Sequence, residues 1–401
     1  MPHFLRPAPK PLTTLVLIAT TCVQALAAAD SPDQSPPTLI DPDATPQTLA
    51  LYRNLKELAP QATLFGAQAT LAYGYHWFDE EGRSDVKTVT GSYPAVYGWD
   101  VMEIELPTEA RSENHYRYDF DDRIRWAKEA YARGGVITYA WHKSNPVSGK
   151  NFYDKTPAAA TLLPGGENHE AFMETLDRLA TFFKAHEEVP IIFRPWHEHN
   201  GDWFWWGKGY VSEENYIALW RLTVDTLRDE KGVHNLIYAF SPDRSRMYEH
   251  EGRDAYFYAY PGDNYVDIIG IDNYWDVGHP GNRKPKEERI EDFVASLELV
   301  VSIANEKNKV AALTETGLDR LEDPTWWTEV LLAGINRNET TRQIAYLQVW
   351  RNANRELEGR DHFYVPYEGH PSVPSFIEFK NDPSILFEDE LPDLYQQSLH
   401  P

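Results

Sequence analysis

Eight short runs rich in β-branched and aliphatic residues recur along this chain, most of them separated by a stretch with helical periodicity, and this recurrence limits the fold more than any other feature. They are Ala62 to Gly66, Ala95 to Trp99, Val136 to Trp141, Pro190 to Arg194, Asn235 to Phe240, Val266 to Ile271, Val310 to Thr314 and Ile344 to Trp350. Runs such as VITYAW, PIIFRPW, NLIYAF, VDIIGI and IAYLQVW are almost continuously apolar, the pattern of parallel strands buried on both faces. Amphipathic helices are expected between them at Asp122 to Ala132, Glu170 to His186, Glu213 to Asp229 and Glu291 to Asn305. Ser212 is placed to cap the third, with Glu213 and Glu214 complementing the positive end of its dipole. Eight alternations without a long antiparallel meander predict an α/β protein built as a single (β/α)8 TIM barrel. A doubly wound open sheet is the competing arrangement, but no G-x-G-x-x-G or P-loop follows the first run.

The ends of the chain read differently. Arg6 and Lys10 precede an apolar run from Leu12 to Ile18, followed by small residues Ala25 to Ala29. This is the layout of an export signal over residues 1–29, cut after Ala27 or Ala29, and it implies a secreted, periplasmic or envelope location. A lipid-anchored reading of Cys22 is weakened by Ala19, which stands where a bulky aliphatic residue is usual. Residues 30–45, rich in Pro, Asp and Ser, are expected to be a disordered leader. No Ser/Gly- or Pro-rich linker follows, so residues 46–401 are expected to form one domain, acting as a monomer. No later stretch reaches the roughly 20 apolar residues of a membrane span, so no membrane insertion is expected.

Charge and cysteine content narrow the partners. A formal net charge of −24 repels nucleic acid and anionic lipid, and makes an acidic polysaccharide a poor substrate. Cys22 is the only cysteine, so the exported chain would have no disulfide, no thiol nucleophile and no thiolate metal site. Thirteen Trp and 23 Tyr exceed what such a polar chain ordinarily carries. Core filling accounts for most of them, but several cluster beside carboxylates in expected loops, where packing explains less.

A barrel of this kind does its chemistry at the C-terminal ends of its strands. The fourth run leaves through Arg194-Pro195-Trp196-His197-Glu198-His199-Asn200-Gly201 and the seventh through Thr314-Glu315-Thr316-Gly317. Each delivers a glutamate to the same rim. Retaining glycoside hydrolysis needs one carboxyl to protonate the leaving oxygen and one carboxylate to attack the anomeric carbon, about 5 Å apart, whereas a wider pair admits water and inverts. Around Glu198, Arg194, His197, Trp203, Trp205 and Trp206 crowd within a dozen residues. Glu315 also fits a carboxylate at a helix start. His197 and His199 do not make a zinc motif, because the second histidine of H-E-x-x-H would fall at Gly201. No metal or other cofactor is expected, and no G-x-S-x-G elbow is present.

These residues resemble glycoside hydrolase family 26, whose best-known members are β-mannanases. The resemblance runs from about Leu64 to Pro366 and is carried by VYGWD (Val96 to Asp100), IIFRPWHEHNGDWFWWG (Ile191 to Gly207), DIIGIDNY (Asp267 to Tyr274), LTETG (Leu313 to Gly317) and LQVWRN (Leu347 to Asn352). It implies a retaining enzyme with Glu198 as general acid/base and Glu315 as nucleophile, acting on β-mannan or manno-oligosaccharides. It also carries His142, Arg194, His197, Trp203, Asp272, Tyr274, Trp350 and Arg351 into the substrate site, with Tyr274 near the nucleophile and Trp203 and Trp350 walling the sugar. Asp272, Arg194 and Arg351 fit a structural network equally well. Two segments, Glu103 to Asp121 and Lys143 to Pro164, depart most from the family pattern. The same family holds β-1,3-1,4-glucanases and β-1,3-xylanases, and from another class a non-catalytic glycan-binding barrel stands as the alternative.

Overall fold

In a computed structural model, all eight apolar runs are parallel strands of one closed barrel. They are β1 (Thr63–Gln68), β2 (Val96–Asp100), β3 (Val136–Trp141), β4 (Ile191–Pro195), β5 (Leu236–Phe240), β6 (Ile268–Asn273), β7 (Val310–Thr316) and β8 (Ile344–Val349). Each pairs with the next, and β1 pairs with β8 as well as β2, so the sheet closes on itself and removes the edges an open sheet would expose. Strands β1, β2, β4, β6 and β7 continue one or two residues past the ends expected from apolarity. The polar residues Gln68, Asp100, Asp272, Asn273, Glu315 and Thr316 are still in the ladder there. The structure describes His3 and residues 37–102, 104–105, 120–247 and 252–397. The expected signal of residues 1–29, His3 apart, and most of the segment 103–121 lie outside them.

Side-chain alternation divides the core into two layers. Leu64, Val96, Val136, Ile192, Ile237, Ile268, Val310, Ala312 and Tyr346 face inward and share one cluster with Leu51, Tyr52, Leu55 and Leu58 of helix α1 (Pro46–Leu58). Thr45 caps α1 through the Thr48 N–H, and Pro46 stands at its first turn, where a missing donor costs nothing. The helix plugs the N-terminal end of the barrel, with Tyr52 donating to the carbonyl of Asp267 just before β6 (2.9 Å).

Outward residues such as Phe65, Tyr97, Tyr139, Phe193 and Phe240 pack under the surrounding helices. These include α2 (Phe120–Ala132), α3 (His169–Lys184), α4 (Glu213–Asp225) and α5 (Lys286–Glu306). Ser212 caps α4 as expected, accepting from the Asn215 N–H. No helix among the described residues is long and apolar enough to cross a membrane.

The leader expected at residues 30–45 requires correction over its described part. Asp267 accepts the Ile40 N–H (2.8 Å), Asp41 pairs with His234 (2.9 Å), and the Thr45 N–H bonds the carbonyl of His234 (2.9 Å). The Pro- and Asp-rich composition that read as solvated chain instead supplies caps and hydrogen bonds to the barrel floor. At the other end of the chain, Leu394 joins the interior cluster and Asn54 of α1 donates to the carbonyls of Leu394 and Gln396.

Leu55 is fully buried between the plug and the strands. Leu55→Ala is expected to cost about 2–5 kcal/mol, measured as a lower urea midpoint with an unchanged slope.

Candidate active site

Strand β4 turns out of the barrel through an unusual backbone. Trp196 and Glu198 both adopt left-handed conformations, φ 51° and 53°, costing of order 1–3 kcal/mol each. Surrounding groups hold the turn. The Trp196 indole donates to Thr223 (3.1 Å), and its carbonyl accepts from the Tyr216 hydroxyl (2.8 Å), both from α4. The Glu198 N–H donates to the carbonyl of Ser241 (2.8 Å), and its own carbonyl accepts from Gly201 (2.9 Å). The result is a Glu198 side chain aimed over the barrel mouth.

Strand β7 reaches the same place by a different device. Leu313 pairs with Ile271, but Glu315 pairs with Asp272, so Thr314 is an extra residue against β6. In unbroken alternation Ala312 and Thr314 face the interior, while Leu313 and Glu315 face the helices. The bulge resets the pattern, and Thr314 and Glu315 both turn toward Asp272. Gly317 follows with φ 145°, and a Cβ there would overlap the ring of Tyr364.

The two glutamates meet around an arginine. Arg194 donates through Nη1 to Asp272 (2.8 Å) and Ser241 (3.3 Å), and through Nη2 to Glu315. Thr314 donates to the other oxygen of Asp272 (2.7 Å), and the Tyr274 hydroxyl donates to Glu315 Oε2 (2.9 Å). The indole N–H of Trp203 donates to Glu198 Oε2 (2.6 Å). One carboxylate oxygen each from Glu198, Asp272 and Glu315 lie within 4.8 Å of one another. The Glu198 to Glu315 separation therefore fits direct attack on a sugar carbon rather than an interposed water.

Burial pushes the Glu198 carboxyl well above the usual glutamate range, helped by the charges of Asp243, Asp272 and Glu315 and opposed by the Trp203 N–H. Burial also holds His197 well below the usual histidine range, with the Arg194 charge adding to it, so this ring is neutral. Asp243, from the turn after β5, is pushed up to about 6 by burial against the pull of Ser245, Arg246 and Arg244.

The remaining expected residues separate into two groups. His142, His197 and Trp350 line the same mouth, with ring centroids 4.6 Å apart for His142 and His197 and 5.8 Å for His142 and Trp350. His142 Nδ1 lies 2.5 Å from Asp100 Oδ2, which turns Nε2 away from that carboxylate. Arg351 is instead turned onto Glu358, with contacts of 2.5 and 3.0 Å, and onto the Tyr73 hydroxyl at 3.3 Å. The structural-network reading fits that position.

His199 is buried and its Nε2 bonds the carbonyl of Tyr258 (2.8 Å). Trp205 and Trp206 correct the expectation that core packing explains these loop aromatics less than the others. Both are fully buried, donating to the carbonyls of Lys143 (2.9 Å) and His197 (2.8 Å). Trp203 alone of the three stays partly exposed.

Sequence reasoning missed Ser241, Asp243, Thr314 and Tyr364. Ser241 and Asp243 leave β5 at the same rim and were legible by the strand-exit rule. Tyr364 packs on Tyr274 with centroids 5.8 Å apart, and no strand exit marks it.

The profile of Glycosyl hydrolase family 26 matches residues 40–317. The mannan endo-1,4-beta-mannosidase of Bifidobacterium adolescentis is 33% identical over 365 residues, 84% of this chain and 34% of its own length. Endoglucanase H of Acetivibrio thermocellus is 39% identical over 252 residues, 60% of this chain and 24% of its own. The chain thus spans about a third or less of these two relatives. The solved structure of a GH26 beta-mannanase from Bacteroides ovatus is 39% identical, with a TM-score of 0.78, covering 88% of this chain and 98% of that one.

Arg194 is buried between two carboxylates, and removing it leaves both without their shared cation. Arg194→Met is expected to lower stability by about 3–5 kcal/mol, read by urea denaturation at neutral pH.

Proposed function

The chain belongs to glycosyl hydrolase family 26, and from that membership we propose that it hydrolyses β-1,4-mannosidic linkages in mannan, galactomannan or glucomannan by double displacement. The observation that carries the chemistry is the approach of the Glu198 and Glu315 carboxylates to within 4.8 Å. A non-catalytic binding barrel has no need for such a pair, because two buried carboxyls held this close cost stability and offer nothing to a neutral sugar that separate groups would not.

In this reading Glu315 is the nucleophile. Arg194 and Tyr274 donate to its two oxygens, fixing its direction. Glu198 is the acid, since its environment keeps it protonated, and its proton goes to the departing glycosidic oxygen. When the glycosyl-enzyme forms, the Glu315 charge is neutralised, one of the influences raising Glu198 disappears, and Glu198 takes the proton of the incoming water. His197 is neutral and, with His142, Trp203 and Trp350, forms the wall where the sugar lies. Mannan as substrate is supported by the names of the Bifidobacterium and Bacteroides relatives, while the Acetivibrio relative favours a glucan as the second reading. Export through residues 1–29 belongs to the same proposal, and a recovered mature chain is expected to begin at Ala28 or Asp30.

The test is turnover on galactomannan, glucomannan, mixed-linkage glucan and β-1,3-xylan, with proton NMR of the first product anomer. Release of β-anomers from the first two is expected, and preference for mixed-linkage glucan would transfer the proposal to the second reading. Glu315→Ala is expected to abolish turnover. Glu198→Ala is expected to lose about 10²–10⁴-fold on mannan and far less on an activated aryl mannoside; normal turnover by Glu315→Ala would contradict the mechanism.

The protonated form of Glu198 is the working form, so activity falls as pH rises through its elevated pKa. That basic limb is expected in the kcat/KM profile on a manno-oligosaccharide and is expected to be much weaker on a dinitrophenyl mannoside, whose leaving group departs without a proton.

A further inference from the structure

Among the described residues Trp203 is the one group donating a hydrogen bond to the Glu198 side chain, and its position is set by neighbours outside the site described so far. Its ring lies against Gly201, where a Cβ would overlap the indole. The guanidinium of Arg246 stands 5.3 Å from the ring centroid, and Arg246 Nη2 is 2.6 Å from Asp202, the residue preceding Trp203. Arg246 therefore touches this segment twice, once on the indole and once on the adjoining carboxylate.

Arg246 is itself held in place. It ends the 3-10 turn Arg244–Arg246, capped by Asp243, which accepts the Ser245 N–H at 2.7 Å. Asp243 exchanges two hydrogen bonds with the Asn200 side chain, from Asn200 Nδ2 to the Asp243 carbonyl and from the Asp243 N–H to Asn200 Oδ1, both 2.8 Å. The turn after β5 and the turn after β4 thus form one braced unit, with Arg246 pressing on Trp203 and Trp203 holding Glu198.

We infer that Arg246 is a positioning residue that acts through Trp203 to fix the direction in which Glu198 presents its proton. The inference rests on the reading of Glu198 as the general acid. The exposed ion pair with Asp202 contributes little stability by itself. Its value is geometric, since a proton donor a few tenths of an ångström out of place transfers poorly to a weakly basic leaving oxygen. An activated leaving group needs no proton and is indifferent to that direction.

The test uses the full mature enzyme and two substrates, a manno-oligosaccharide and a dinitrophenyl β-mannoside. Arg246→Gln is expected to lower kcat/KM about fivefold on the oligosaccharide and to leave the aryl substrate within twofold. Loss of the Arg246 charge also raises Asp243, which weakens that acid's push on Glu198, while a loosened Trp203 no longer favours the ionised carboxylate. The two effects oppose each other, so the split between the two substrates is the deciding measurement. Arg246→Lys, which keeps a cation over the ring, should recover most of the loss.

Trp203→Phe removes the donor, so adding Arg246→Gln in that background should change nothing further. A direct field of Arg246 on Glu198, or contact of Arg246 with the sugar, would instead persist there. Equal losses on both substrates, or an undiminished loss in the Trp203→Phe background, would overturn the assignment to Arg246. Absence of leaving-group dependence in Glu198→Ala would overturn the underlying reading of Glu198.

Discussion

The buried junction of Arg194 with Asp272 and Glu315 is the interaction on which the rest of the mouth depends. It ties together β4, β6 and β7, which enter the sequence far apart, at a point where none of the three side chains has appreciable access to water. Desolvating such charges costs several kcal/mol per ion, and only close geometry with further hydrogen bonds offsets it. Ser241, Thr314 and Tyr274 supply those bonds. Tyr274 donates to Glu315 directly, while Thr314 and Ser241 hold Asp272 and Arg194 beside it, so the solution to a stability problem is also the orientation of the carboxylate proposed as nucleophile.

Two local departures from regular structure make that junction possible. The extra residue at Thr314 turns Glu315 from the helix side of β7 to the mouth, and the left-handed backbone at Trp196 and Glu198 turns Glu198 toward it from β4. Both are unfavourable on their own. Both are held by neighbours that are themselves deeply packed: Trp196 against Trp141, Trp205 and Trp206, and Thr314 against Asp272. Much of the aromatic load of this chain therefore serves as rigid backing for two strained turns. Few of these rings are free to meet a sugar.

The acid-base character of Glu198 follows from the same packing. Its carboxyl is half-buried and crowded by three other acids, so it holds its proton to higher pH than an exposed glutamate would. Trp203 opposes that tendency and gives the proton a direction. Because Trp203 is pinned from the β5 side, the reactivity of a residue on one strand is set partly by the turn after the next.

The sequence alone determined the barrel, because strand and helix periodicities are local, and eight strand runs with helical stretches between most of them survive without knowledge of contacts. It also determined which glutamates leave the strands at the mouth, so Glu198 and Glu315 were legible as strand-exit residues, while Arg194, Asp272 and Tyr274 came into the site through the family resemblance. Where each strand ends was less legible, since polarity marks the end of a strand in water but not at a mouth whose polar groups pair with one another. Only the tertiary structure decided that Thr314 is looped out of register, that Asp100 orients His142 and that Arg351 is committed to Glu358. It likewise decided that residues 37–45 brace the barrel floor through Asp41 and Asp267, and that Arg246 backs Trp203. Each of these depends on which groups from distant positions come within hydrogen-bonding reach, and that is fixed by the register and closure of the sheet, which no stretch of sequence encodes by itself.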